Sequence, residues 1–183
     1  MTREIALNHV KENIKNKNLL KHMLATEAIM ERLAKKFDED KERWGVAGLV
    51  HDIDYDETAD DPNRHSIVGS DMLKELGYDD EITYAVKVHN DAHGLERKSL
   101  MDKALYCTDP LTGLIVAAAL ISPDKKLDKI AEEFIIRRFD EKTFAKGANR
   151  DQIKACSDLG LELEEFVSIG LHSMRSISKE LGL

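Results

Sequence analysis

The chain has 183 residues, with hydrophobic types at 42%, charged types at 34% and a formal net charge of −8. This is the profile of a globular chain able to bury a core, not of a disordered one. The acidic balance speaks against a general nucleic-acid or membrane binder, because both need a basic surface. It leaves room for a small phosphorylated substrate met by cations.

The hydrophobic period is helical almost throughout, and no alternating stretch reads as a strand, which predicts an all-α fold. A polar amphipathic helix runs from Thr2 to about Lys15. Asn18 reads as the N-cap of a long helix reaching about Phe37, and a third helix covers about Lys41 to His51. Residues Asp54 to Asp61 read as loop. Pro62 then opens a helix at its first position, ending near Gly77. Asp79, Asp80 and Glu81 start another at the favoured end of the dipole, which stops near His89. After a loop over His89 to Gly94, a helical run extends from about Ser99 through Ile121 with Pro110 inside it. Shorter helices follow over about Leu127 to Arg138, Glu141 to Lys146 and Arg150 to Cys156, and Leu163 to about Glu180 closes the chain.

Three prolines and ten glycines make no linker. Residues 1–183 are therefore expected to form one domain, with a motif-bearing core over about 18–121 and C-terminal helices 122–183 packed on it. The longest apolar run, Gly113 to Ile121, is too short for a bilayer. Met1-Thr2-Arg3-Glu4 shows no signal-peptide pattern, and Cys107 and Cys156 lack a CxxC spacing. A cytoplasmic, reduced protein is expected. Leu161, Leu163, Phe166, Ile169 and Leu171 form an apolar set for packing on the domain or on a second subunit, so a homodimer is open.

The chemistry lies in the tandem pair His51-Asp52, two strong metal ligands at the end of an apolar run. Buried without a partner, they cost much free energy; a cation between them removes that objection. His22, His65, His89 and Asp109 extend the set, and imidazoles with carboxylates suit Zn, Fe, Mn, Co or Ni. Helical phase places Ile29 and Leu33 within ~20° of His22, Met72 and Leu76 within ~20° of His65, and Ile82 within ~20° of His89. These histidines are thus expected on buried stripes. The residue before a proline avoids the α region, so Asp109 is expected at a kink or helix start. A single histidine on an apolar face is more often a hydrogen-bonded core residue than a ligand. The joint pattern favours metal, with five of the seven histidines between positions 22 and 93. His9 and His172 lack a comparable carboxylate pattern and are left outside the site.

His22, then His51-Asp52, then Asp109 resembles the H…HD…D signature of the HD superfamily of metal-dependent phosphohydrolases. The resemblance runs from about His22 to Leu120, and residues from Ser122 onward match no HD motif. His65 and His89 resemble the two extra histidines of the superfamily's dinuclear branches, which include symmetrical diadenosine tetraphosphate hydrolases and cyclic-dinucleotide phosphodiesterases. The resemblance implies an HD-type helical bundle with the metal site in its core. It further implies two divalent transition metals, with His22, His51, Asp52 and Asp109 on one, His65 and His89 on the other, and Asp52 bridging. Two features depart from it. Many dinuclear members follow HD with Ile-Gly-Lys, whereas here Ile53-Asp54-Tyr55 follows. The Gly-Tyr-Pro tripeptide of the cyclic-dinucleotide branch is absent, which speaks against that activity.

The expected function is hydrolysis of a phosphate ester or anhydride of a small nucleotide, with Asp52 central to catalysis. Asp54 is a candidate general base or acid, or an orienter of a ligand histidine. Arg64 and Lys87, and after them Arg97 or Lys98, are candidates for the cation that meets phosphate. His93, four residues after His89, is a candidate substrate contact or an alternative ligand to His89, which helical phase favours. Two other functions compete: a metal-bound nucleotide sensor without turnover, and a plain helical interaction module with incidental histidines.

Overall fold

The computed structural model describes residues 1–141 and 143–183. Among them every regular element is helical. α1 (Arg3–Asn13) starts at Thr2, whose hydroxyl accepts the Ile5 N–H. α2 (Lys17–Lys36) starts two residues earlier than expected. Asn16, not Asn18, is the cap, and its Oδ1 accepts from the backbone N–H groups of Asn18 and Leu19. α3 (Lys41–Val50) follows, capped by the Asp40 carboxylate.

The stretch after His51-Asp52 differs from the loop expected. It contains α4 (Tyr55–Thr58), and Pro62 opens no helix. Residues 62–66 are turns, and α5 (Ile67–Glu75) begins only after Ser66, at φ 69°. The cause is tertiary. The Asp54 carboxylate accepts the Ser66 N–H at 2.8 Å, and the Ser66 hydroxyl donates to the Lys87 carbonyl at 3.0 Å. These bonds hold the chain in a left-handed turn that a helix from Pro62 would not allow. The helical-phase argument for His65 therefore fails, and Leu76, expected on its buried stripe, is 38% exposed.

α6 (Asp80–Val88) is capped by Asp79. α7 (Leu100–Ile121) opens with a Ser99/Asp102 capping box and runs unbroken through Asp109 and Pro110. Pro110 has no N–H for the Tyr106 carbonyl; the Gln152 side-chain amide approaches that oxygen instead, at 3.5 Å. Asp109 is therefore inside a continuous helix and not at a helix start. By length and composition α7 would suffice to cross a membrane, more than its run from Gly113 suggested, yet 67% of its most apolar window is buried within the fold.

Around α7 pack α2, α6 and the C-terminal elements α8 (Glu132–Phe139), α9 (Arg150–Lys154) and α10 (Leu163–Ser176). α11 (Ser178–Leu181) ends the chain against α2. The helix expected from Leu127 is divided into a 3-10 turn, Leu127–Lys129, and α8. Of the helix expected over 141–146, residue 142 lies outside the described residues and 143–148 are turns and bends. Two close approaches fix the layers. A Cβ on Gly48 of α3 would lie 3.0 Å from the backbone of Glu27 in α2, and one on Gly170 of α10 would lie 2.7 Å from Leu111 of α7. Leu161, Phe166 and Leu171, considered as a face for a second subunit, are buried within the chain itself.

Candidate metal centre

Six side chains from α2, the α3–α5 connection, α6 and α7 converge beside the middle of α7. His22 stands on the inner face of α2, and its Nδ1 pairs with the Thr112 hydroxyl at 2.7 Å. His51 caps α3 and His89 caps α6. Each turns its Nδ1 back to the carbonyl three residues earlier, Gly48 at 2.9 Å and Val86 at 2.6 Å. The last carbonyls of a helix have no intrahelical partner, so one contact satisfies an orphan acceptor and aims the ring. His65 is aimed by a carboxylate, with its Nδ1 3.2 Å from Asp54 Oδ1.

The four rings present their Nε2 atoms to Asp52. Oδ2 of Asp52 lies 3.5 Å from Nε2 of both His22 and His51. Oδ1 lies 3.4 Å from Nε2 of both His65 and His89. Asp109 Oδ1 joins the first pair, 3.1 Å from His22 Nε2 and 3.9 Å from His51 Nε2. The donors thus fall into two groups able to hold a metal ion, His22 with His51 and Asp52, and Asp52 with His65 and His89.

The donor chemistry fits a cation. A carbonyl only accepts, so Nδ1 of His51 and of His89 must carry a hydrogen. In the neutral tautomer each Nε2 is then a bare lone pair directed at a carboxylate oxygen. Lone pairs facing each other in a buried site call for a positive species between them. Without a metal, protons meet part of that demand. Burial opposes charge on His89, but the hydrogen bond and charge of Asp52 outweigh it and raise its pKa to about 9. At His51 burial prevails and lowers it to about 4. Burial also works against ionised Asp52 and Asp109, yet the surrounding histidines hold both below the usual carboxylate range.

The centre forms one wall of a cavity of about 400 Å³, whose rim includes Tyr55, Asn90, Asp91 and Gln152. Tyr55 packs edge-on against His65, ring centroids 4.9 Å apart. Asn90 donates to the carbonyls of Pro62 and His65 at 2.8 and 3.1 Å and so holds the loop that carries His65.

Several expected roles change with this geometry. Asp54 is buried behind His65 rather than facing the cavity, so it is placed to orient that ring and not to act as general acid or base. Arg64 turns away to Glu57 at 2.7 Å, and neither it nor Lys87 lines the cavity. Nε2 of His93 binds the His65 carbonyl at 2.8 Å, which makes it a brace of the same loop and not a wall of the cavity. His9 pairs with the Tyr78 hydroxyl and His172 with the Ser168 carbonyl, both outside the centre. Thr112, Asn90, Asp91 and Gln152 went unread in the sequence because their roles rest on contacts between distant segments. Tyr55 had a signal, since it occupies the position of the lysine in Ile-Gly-Lys.

Ribonuclease Y of Desulfotalea psychrophila is 30% identical over 139 residues, covering 73% of this chain and 26% of its own length. Ribonuclease Y of Oleidesulfovibrio alaskensis is 26% identical over 98 residues, covering 54% of this chain and 18% of its own length. The chain thus spans about a quarter or less of these relatives. An uncharacterized protein of Methanocaldococcus jannaschii is 29% identical over 154 residues, 78% of this chain and 86% of its own length. A family model described as HD domain matches residues 19–143, beyond the Leu120 limit of the motif and into the segment where no motif was found. With all-helical architecture, a histidine–aspartate cluster able to hold metal and a match over most of its length, the chain belongs to the HD domain family, whose members are metal-dependent phosphohydrolases.

Proposed function

We propose that this chain hydrolyses a phosphate ester or phosphoanhydride of a nucleotide at a dinuclear centre. His22, His51, Asp52 and Asp109 would hold one divalent ion, and Asp52, His65 and His89 would hold the second. The observation that carries this reading is the division of Asp52, one oxygen toward each histidine pair at 3.4–3.5 Å. When bound, two such ions acidify water to supply the nucleophile and draw charge from the phosphoryl oxygens. The chain's own part is positioning. Thr112, Asp54 and two helix-end carbonyls fix the four imidazoles, and the Tyr55 ring shields His65 from water.

The ribonuclease Y relatives widen the range of substrates to RNA. A net charge of −8 argues against a broad nucleic-acid surface, but not against one strand end entering a charged cavity. Nucleic acid therefore stands within the range of substrates. A metal-bound sensor without turnover is the second reading, favoured by the lack of any lysine or arginine on the cavity wall among the described residues.

The deciding experiment supplies Mn, Co, Fe, Ni or Zn to untagged protein and offers mononucleotides, dinucleoside polyphosphates and short RNA. Hydrolysis of any of these, abolished in Asp52→Ala together with metal content, supports the enzyme. Full metal content with nucleotide binding and no hydrolysis supports the sensor. A chain that takes up no metal sinks both.

A further inference from the structure

The cavity has a charge problem. It must admit a phosphoryl group past Asp91 at its rim and toward Asp52 and Asp109 at its floor, and no cationic side chain lines it among the described residues. One guanidinium, that of Arg97, is paired with a residue of the wall. Arg97 Nη1 is 3.3 Å from Asp91 Oδ1, and Asp91 is part of the rim. Among the described residues this is its only hydrogen bond. The guanidinium carbon lies 3.6 Å from the centroid of the Tyr106 ring.

Tyr106 belongs to α7, one turn before Asp109, so the platform beneath Arg97 and a floor carboxylate share one rigid helix. Stacking on an aromatic face leaves the edge of a guanidinium free for in-plane hydrogen bonds, which is the geometry that takes phosphate oxygens in pairs. The segment carrying Arg97 is short and tied at both ends, by the left-handed Gly94 (φ 59°) and by the Ser99 cap of α7. Of the other cations in this region, Arg64 pairs with Glu57, Lys98 lies over the Tyr84 ring at 5.0 Å, and Arg150 donates to the carbonyls of Phe139, Phe144, Ala145 and Ala148. Asp91 is 60% exposed, and an ion pair open to solvent is weak, so one anion readily replaces another at Arg97.

We propose that Arg97 is the phosphate-binding cation of this cavity, parked on Asp91 when the site is empty and transferred to a phosphoryl oxygen when substrate enters. Tyr106 fixes its plane, and Asp91 competes with substrate for it. The assignment rests on the phosphohydrolase reading given above and adds the residue by which the chain itself recognises phosphate.

Two substitutions test it, because both break the same ion pair. If Arg97 and Asp91 merely brace the rim, Arg97→Gln leaves the phosphate Kd within about twofold of wild type, the size of a weak, solvent-exposed charge effect. If Arg97 is the phosphate ligand, the two act in opposite directions. Inorganic phosphate binding to the metal-loaded full chain, measured by calorimetry, reads the difference. Arg97→Gln should raise the phosphate Kd about tenfold or more, the loss expected for a charge-assisted hydrogen bond. Asp91→Asn should lower it about threefold, by freeing Arg97 and removing a like charge from the rim. Shifts in the same direction, or an unchanged Kd in Arg97→Gln, overturn the assignment. Metal content is measured on the same samples. Normal metal with phosphate affinity indifferent to Arg97 sinks this assignment alone, whereas a wild-type chain that binds no metal sinks the phosphohydrolase reading with it.

Discussion

The four imidazoles around Asp52 are held at their second nitrogens by three kinds of partner, a hydroxyl at His22, helix-end carbonyls at His51 and His89 and a carboxylate at His65 alone. A carboxylate behind a ligand histidine fixes its tautomer and strengthens it, and loss of such a partner typically costs 10–100-fold in metal affinity. Asp54→Asn should therefore weaken one of two metal equivalents by about that factor and spare the other. A titration in which both equivalents weaken together would show that Asp54 acts on the whole fold. Protonation gives a second test. His89 has its pKa raised to about 9, so the metal-free chain holds a proton there at neutral pH and loses it as pH rises through that value. A metal must displace it. Metal uptake at pH 7 should release one proton or more, and the release should fade as pH passes about 9. His51, lowered to about 4, contributes none. Proton counts from calorimetry in buffers of different ionisation enthalpy read this directly, and uptake at pH 7 without proton release would refute it. The six candidate ligands were legible as a joint pattern, a tandem His-Asp with further histidines and a carboxylate, and not from the placement of any one of them. Their orienting partners were not: Thr112 lies 90 positions from His22.

At the scale of elements, periodicity revealed α2, α3, α6 and α7 because each buries a broad apolar face. It misplaced α5 because proline's preference for a first helical turn is a local bias, and the Asp54–Ser66 hydrogen bond joins segments that periodicity cannot relate. The span of α7 agrees with its period; the kink or start expected at Asp109 is absent, since the missing Pro110 donor is compensated by Gln152 of another helix. The same connection yields a prediction. A Cβ on Gly69 would lie 2.8 Å from Asp54 Oδ1. Alanine gains about 1 kcal/mol of helix propensity, but overpacking costs about 1–3 kcal/mol. Displacing Asp54 also loosens its hold on His65. Gly69→Ala should be less stable in urea unfolding and deficient in the same metal equivalent as Asp54→Asn. Stability and two-metal content equal to wild type would mean that the contact relaxes freely.

Across the whole molecule, the candidate ligands span positions 22 to 109 and reach one another only when α2, α3, α6 and α7 are packed. Metal should bind the native chain alone and stabilise it by mass action, about 2.7 kcal/mol at a free concentration one hundred times Kd. For a chain of this size that corresponds to a Tm some 5–10 °C above the chelated protein. Identical melting curves with chelator and with metal would contradict a core site. Composition was informative about class and weak about partners: net charge is a property of the whole surface, while a cavity answers to its own few charges. Asp52 and Asp109 supply two negative charges, the imidazoles in their ligand form none. One divalent ion therefore only neutralises the centre, and the second leaves it electropositive. Attraction for an anion arises with the second ion and not with the first. Chain carrying a single equivalent should melt higher than the metal-free form yet ignore phosphate, and turnover should rise sigmoidally with metal supply. On the proposed dinuclear reading, a lone aspartate shared between two histidine pairs would turn metal availability into a threshold, keeping the site silent until both places are filled.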